Sequence, residues 1–268
     1  NGVAYRFLAE RVGRDRQFPS GRISVSCRGL GGELDLLQGN YDNSAAARTA
    51  AQLLDDILEV NGVGVGWTVD FGLEDWLVPA GAWAHSGTAV SALQAVVTAG
   101  GGYLQPHETD RVLRVLPAYP TMPWDWAGVT PDYELPSSVI TRESIEWTEK
   151  PRYNRVFVSG QNVGVLCQVT RTGSTGDVVA PQVVDPLIVT TAAGRQRGGA
   201  VLGDTGRQAL VRLSLPILPA TGIIPPGKFV RYVDGAEVRL GITRSVSVDV
   251  KLAGSRQTIG IETHVESV

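Results

Sequence analysis

The sequence predicts an α+β fold that is mainly β, in which β-domain pieces flank a compact α/β unit. Three observations predict it. Apolar residues alternate with period two near the start of the 268-residue chain. The period changes to that of a helix twice between residues 41 and 117. From Phe229 onward the alternation returns in its clearest form.

Residues 1–39 read as β. Val3, Tyr5, Phe7 and Ala9 alternate, and so do Ile23, Val25 and Cys27. The polar connection RVGRDRQFPSG lies between them, so a strand and a returning strand is the simplest arrangement. The alternation is already running at Asn1, which leads us to expect that the chain starts inside a sheet whose earlier strands are missing.

In residues 41–117, Ala46, Ala50, Leu53, Leu54, Ile57 and Leu58 share one helical face. Asn43 or Ser44 is expected to cap its start and Asn61-Gly62 its end. A second helix is expected over 88–99, with Ala89, Leu93, Val96 and Val97 as its stripe and Ser86 or Thr88 as its cap. Strand candidates at 103–105 and 111–116 flank PHETD, a hairpin loop. Residues 118–150, rich in Pro and Trp and then polar, read as a loop-rich crossing between lobes.

In the last part, residues 151–268, 155–159 reads as a strand, and Val165, Cys167 and Val169 alternate. The stretch DTGRQALVRLSL, 204–215, is the helical candidate of this half. Phe229 to Val233 leads into Asp234-Gly235, a two-residue hairpin signal. Val246, Val248 and Val250 alternate, then Ile259, Ile261 and Val265. Three or four antiparallel strands in a row suggest a closed or nearly closed β-barrel.

Composition bounds the function. Hydrophobic residues are 43% and charged residues 19%, as in a folded globular chain. A net charge of −3 disfavours sequence-independent duplex binding. The two cysteines, Cys27 and Cys167, are too few and too distant for a disulfide framework, and both read as small buried strand residues. No apolar run approaches the ~20 residues of a membrane helix, and no signal segment opens the chain.

Gly100, Gly101 and Gly102 suggest a phosphate cradle, but they follow a helix, where the partial charge is negative. NGVGVGW, 61–67, also trails a helix, and no P-loop motif is present. His85, His107 and His264 have no metal-ligand spacing and read as solvated or edge histidines. No G-x-S-x-G elbow appears. Asp55-Asp56, Glu74-Asp75 and Asp125 are the carboxylates that could pair as acid and base; Asp55 and Asp56 fall on a polar helix face. Trp124 and Trp126 in PWDW could form a sugar-stacking platform or, the preferred reading, pack between lobes. No catalytic, cofactor-binding or metal residue is assigned.

The order of elements resembles the baseplate hub proteins of tailed bacteriophages, in particular the tail hub of Mu-like phages and the late-control gene D group, whose fold type VI secretion spike proteins share. The stretches that carry the likeness are GRISVSCRGLGGELDLL, ARTAAQLLDDILEVNGVGV, GTAVSALQAVVTAGGGYLQPHETDRVLRVLP, PRYNRVFVSGQN and the closing PPGKFVRYV, RLGITRSVSVDV and RQTIGIETH. The resemblance implies two tube-like antiparallel β-barrel domains with an inserted helix-helix-hairpin unit. Residues 1–40 would be the remainder of the first barrel, completed by part of 118–150; 41–117 the insertion; 118–150 the crossing; and 151–268 the second barrel. It further implies a virion structural protein without catalysis or cofactor. Three subunits would form a ring that joins the hexameric tail tube, or a distal tail protein, to a central spike or fibre. DNA would pass through the lumen, no membrane anchor would be needed, and assembly would take place in the host cytoplasm. The competing expectations are a β-rich receptor- or carbohydrate-binding tail module and a tail-associated cell-wall hydrolase.

Overall fold

In the computed structural model, which describes residues 4–161, 167–251 and 254–265, the N-terminal alternation becomes a two-stranded ribbon. β1 (Phe7–Gln17) pairs antiparallel with β2 (Ser20–Gly29), with Val12 opposite Val25 and Arg14 opposite Ile23. Among the described residues no third strand joins the ribbon and no layer covers it, so most of its side chains are exposed. Cys27 is therefore exposed, contrary to expectation, whereas Cys167 is buried as expected. Val3 and Val165, which the alternating patterns included, lie outside the described residues.

A short 3-10 turn (Leu30–Leu36) leads into the α/β unit. Its elements are β3 (Gln38–Asp42), α1 (Ala50–Ile57), β4 (Thr68–Phe71), β5 (Ala84–Thr88), α2 (Ala89–Ala99), β6 (Gly102–Pro106) and β7 (Val112–Pro117). β3 pairs with β5, while β7 lies between antiparallel β6 and parallel β4. The expected apolar faces are the packed ones: Leu53, Leu54, Ile57, Leu93, Val96 and Val97 are all buried in one core. The caps differ in part. Thr88 caps α2 as expected, accepting from Ser91 N at 3.1 Å. α1 is capped by Thr49, in a reciprocal box with Gln52, and not by Asn43 or Ser44. Asn43 is instead buried, donating to Pro79 O at 2.7 Å and accepting from Trp83 N at 3.1 Å. Asn61-Gly62 forms the turn between the short strands Glu59–Val60 and Val63–Gly64, just past the helix.

The rest of the chain builds two sheets and one helix. β8 (Tyr133–Pro136), β9 (Arg142–Glu149), β10 (Arg155–Ser159), β11 (Cys167–Thr170), α3 (Thr191–Gly203), β12 (Arg207–Pro216), β13 (Phe229–Asp234), β14 (Glu237–Lys251) and β15 (Gly254–Val265) follow in order. β10 pairs with β11 and with the short strand Val183–Val184. The large sheet runs β8–β13–β14–β15–β12–β9. Residues 118–150 are thus more than a crossing. A 3-10 turn (Pro123–Gly128) occupies their first part, but β8 and β9 are strands of the large sheet, and neither pairs with the β1–β2 ribbon.

Residues of all six strands, from Leu135 on β8 and Ile145 on β9 to Val211, Val230, Val246 and Ile259, meet in one cluster. The sheet therefore curls around a single core. It does not close into a barrel, because β8 and β9 are its two edges and do not pair with each other. Across that opening the Tyr232 hydroxyl of β13 donates to Glu143 Oε2 of β9 at 2.7 Å.

The helical expectation for 204–215 is overturned. Ala209, Val211, Leu213 and Leu215 are buried at period two, on strand β12. The helix, α3, lies just upstream and has no apolar stripe, because glycines form its packed face. A Cβ at Gly198 would come within 2.5 Å of Val169 Cγ2, one at Gly194 within 2.9 Å of Cys167 Cβ, and one at Gly203 within 2.5 Å of the Tyr119 ring. Close approach of backbone to neighbour compensates for propensity costs of roughly 1 kcal/mol per glycine relative to alanine.

The other side of α3 meets the glycine run after α2. Gly101 has φ +71, and a Cβ there would lie 2.6 Å from Gln196 O and 2.9 Å from Ala200 Cβ. Gly101→Ala therefore combines left-handed backbone strain with a clash against helix backbone, and the expected loss is about 3 kcal/mol. Gly62→Ala shares a positive φ (+76) but meets nothing within 4 Å, so about 1 kcal/mol is expected. Urea unfolding of the two variants beside the parent checks the difference.

Candidate functional site: a buried polar clamp and exposed strand surfaces

The residues singled out for chemistry do not converge. Gly100–Gly102 lie at the C-terminal end of α2 and not at a helix N-terminus: α3 packs against Gly101, a Cβ at Gly100 would meet Trp76 at 2.8 Å, and Gly101 and Gly102 form part of the wall of a cavity of about 640 Å³. Asp75 Oδ1 accepts from Ala51 N at 3.1 Å and from Trp76 N at 2.9 Å, which fixes the start of α1. The backbone of Glu74 is clasped by the Gln196 amide, N–H to Oε1 and Nε2–H to O, both at 2.9 Å. Asp56 pairs with Arg48 at 2.9 Å. Burial, then the charges of Asp56 and Glu59, raise the Asp55 carboxyl above its ordinary value. Asp75 and Asp56 are thus each engaged with a neighbour, and Asp56 lines a shallow groove with Asp42 and Glu59. Among the described residues no group of three His, Cys, Asp or Glu could hold a metal ion.

The histidines have separate surroundings. His85 Nε2 sits 2.8 Å from Ser91 Oγ, and its ring stacks on Trp83. His107 Nδ1 accepts from Asp110 N at 3.2 Å within its loop. His264 is not a solvated edge histidine: its side chain is only 7% exposed. It is covered because Trp126 and Tyr119 lie over the outer face of β15, with ring centroids 5.0 Å and 6.1 Å from the imidazole.

Those same rings decide the PWDW reading. Trp126 is buried, edge-on to Phe229 at 5.5 Å, with Nε1–H donating to Thr121 O at 2.9 Å. Trp124 is part-buried elsewhere, under the Arg171 guanidinium at 4.9 Å. The two indoles do not form a shared sugar-stacking platform, and Trp126 packs between the lobes.

What the structure does bring together is a clamp that the sequence reading missed. Glu262 on β15 accepts three hydrogen bonds or ionic contacts, each at 2.7 Å: from Tyr119 Oη–H and His264 Nε2 at Oε1, and from Arg244 Nε–H at Oε2. Arg244 on β14 also donates from Nη1 to Ala118 O at 2.7 Å, and its guanidinium lies 4.7 Å from the Tyr119 ring centre. Ala118 and Tyr119 follow β7 directly, so the clamp ties the end of the α/β unit to the large sheet. Burial by itself would raise the Glu262 carboxyl, but hydrogen bonds from His264 and Arg244 and the Arg244 charge hold it down at about 2. Burial, then the Glu262 charge, pushes the Tyr119 hydroxyl well above its usual value, so it stays a donor. The only sequence signal was Glu262 and His264 two apart, on the face opposite Ile259 and Ile261. That face reads as solvent-facing until Tyr119 and Trp126 cover it. The four side chains are committed to one another, and Tyr119, Arg244 and Glu262 form part of the wall of a cavity of about 640 Å³ between the α/β unit, α3 and the large sheet.

The surfaces left over are strand surfaces. β9 bonds to β12 alone, so its other edge is open. On the β1–β2 ribbon, Phe18 is 97% exposed, Ile23 71% and Val12 68%. Open edges and an uncovered ribbon are features that soluble chains ordinarily blunt or cover with a partner. No helix of the described residues is long and apolar enough to cross a membrane.

No protein-family model matches the chain, and no curated protein matches its sequence. Solved structures do match its fold. A tail protein of Neisseria meningitidis MC58 superposes with TM-score 0.63 at 16% identity, over 97% of this chain and 80% of that one. A 43 kDa tail protein of prophage MuSo2 from Shewanella oneidensis superposes with TM-score 0.55 at 13% identity, over 94% of this chain and 76% of that one. At these identities the likeness is one of fold, and it runs almost from end to end.

The clamp sets an acid limit. Glu262 has its folded pKa below the ordinary 4.5, so its contribution is complete above about 4.5 and disappears as pH falls toward about 2. Glu262→Gln leaves Arg244 part-buried without its carboxylate, and a loss of about 3 kcal/mol is expected at neutral pH. The variant's stability should also fall less steeply than the parent's between pH 4.5 and 2. Denaturant titrations at a series of pH values measure both effects.

Proposed function

We propose that this chain is a structural component of a phage tail, a hub whose subunits assemble into a threefold ring between the tail tube and the central spike or fibre. The observation that carries the reading is the end-to-end fold likeness to a phage tail protein, over 97% of the chain. The open edge of β9 and the uncovered ribbon support it, since a ring of subunits supplies neighbours for both.

In this reading the ribbon of residues 1–40 belongs to one tube-like β-domain and the curled six-stranded sheet to a second. The α/β unit, clasped to them through α3 and the Glu262 clamp, braces the ring from outside. Two tube-like domains in each of three subunits present six similar positions to a hexameric tube. The tube, or a distal tail protein, binds one side of the ring and the spike the other, and DNA passes through the lumen. The subunit is a scaffold in the virion, assembled in the host cytoplasm, and carries no reaction or cofactor. The carbohydrate-binding reading needs Trp124 and Trp126 on one exposed face, and Trp126 is buried.

Light scattering behind size exclusion is expected to give three times the 28.5 kDa chain mass, and electron cryomicroscopy of purified particles to show a threefold ring of this fold at the end of the tube. A chain that stays monomeric at every concentration, with no such ring in the particle, would overturn the proposal.

A further inference from the structure

The ribbon and the α/β unit carry opposite charge. Residues 7–29 hold five arginines and two carboxylates, on a chain whose net charge is −3. Residues 41–77 hold one arginine and seven carboxylates. Among the described residues the ribbon's ion pairs are confined to Arg28 at its base, with Glu10 at 2.6 Å and Asp35 at 2.7 Å. The arginines nearer the tip, Arg14, Arg16 and Arg22, have no such partner.

The ribbon also has one apolar face. The register places Val12 with Val25 and Arg14 with Ile23, and the Val12, Arg14, Arg16 series therefore shares its face with Val25 and Ile23. Phe18 stands at the tip. β1 is 11 residues long, which at ~3.3 Å per residue makes an arm of roughly 35 Å, long enough to reach past its own subunit.

A groove of matching chemistry lies between β3 and the C-terminal end of α1, with a volume of about 360 Å³. Tyr41, Trp83, Ile57 and Val60 give it apolar walls, and Asp56 and Glu59 stand on its rim. No arginine, lysine or histidine lines it. Asp56 shares its charge with Arg48, whereas Glu59 has no cationic partner among the described residues. The C-terminal end of a helix adds partial negative charge of its own.

We infer that the β1–β2 arm of one subunit docks into this groove on the next subunit of the ring, with Arg14 and Arg16 meeting Asp56 and Glu59, and Phe18 covering the apolar walls. The inference rests on the ring reading. The contact joins two different surfaces head to tail, the type that closes into a ring under rotation. It desolvates the exposed apolar stripe of the arm, and its charge pairs select and orient the neighbour.

The test is a charge swap read by sedimentation equilibrium. Arg14→Glu with Arg16→Glu is expected to raise the trimer dissociation constant about tenfold or more. Adding Asp56→Arg and Glu59→Arg to that variant is expected to restore it to about the parental value. All four positions are at the surface, and thermal midpoints that change by no more than the loss of the one exposed Arg48–Asp56 pair verify folding. A trimer unaffected by the first pair, or a loss that the second pair does not repair, overturns the docking and assigns the arm to a different protein or to further strands, while the ring reading stands. A parent chain that is monomeric throughout overturns the ring reading itself, and the docking with it.

Discussion

The two halves of this chain meet on a helix whose packed face is largely glycine, with Ala193 and Leu202 among the glycines. α3 brings Gly194 and Gly198 against Cys167 and Val169, Gly199 against Met122 and Gly203 against Tyr119, each at a distance that leaves no room for a Cβ. On its other side Gln196 and Ala200 close on Gly101. Such a joint works by exclusion. An added side chain would push α3 away from β10–β11 or from Met122 and Tyr119, the residues that link the α/β unit to the large sheet.

The polar contacts across the joint depend on that spacing. Gln196 of α3 clasps the backbone of Glu74, and in the segment leading into α3 Leu187 O accepts from Trp76 Nε1 at 2.8 Å. Tyr119 packs on Gly203 and reaches Glu262, so the glycine face and the buried clamp share a residue. The clamp then carries the restraint into β14 and β15. An arginine, a carboxylate, a phenol and an imidazole in one covered spot suggest catalysis, but every one of them is committed to another. Satisfied in this way, a largely buried network rigidifies the joint between the α/β unit and the large sheet.

A body held this rigidly leaves its variable chemistry at the periphery. The ribbon and the edges of the large sheet are among the parts whose backbone or apolar side chains lack cover within the described residues. Both are strand features, and strands complete one another between chains as readily as within them. The likeness to phage tail proteins is one of fold and runs almost from end to end, and the uncovered strand surfaces are the part of that fold that a neighbouring chain could cover.

Much of the fold was legible in the sequence, because helices and strands announce themselves by the spacing of apolar residues. The stripes of α1 and α2, the β6–β7 hairpin and the Asp234-Gly235 turn each rest on neighbours along the chain. α3 was not legible: a helix packed through glycine has no stripe to read, and the alternating residues of β12 lay just beyond it. The burial of His264 and Glu262 and the exposure of Cys27 were likewise hidden. Alternation states which residues share a face, but not whether another element covers that face. Local periodicity thus determined the elements and the mainly β class. Only the tertiary structure decided that the large sheet curls without closing, which faces are covered, and that the glycines after α2 receive a helix instead of a phosphate. These depend on contacts between residues as far apart as Tyr119 and Glu262, and no local pattern records them.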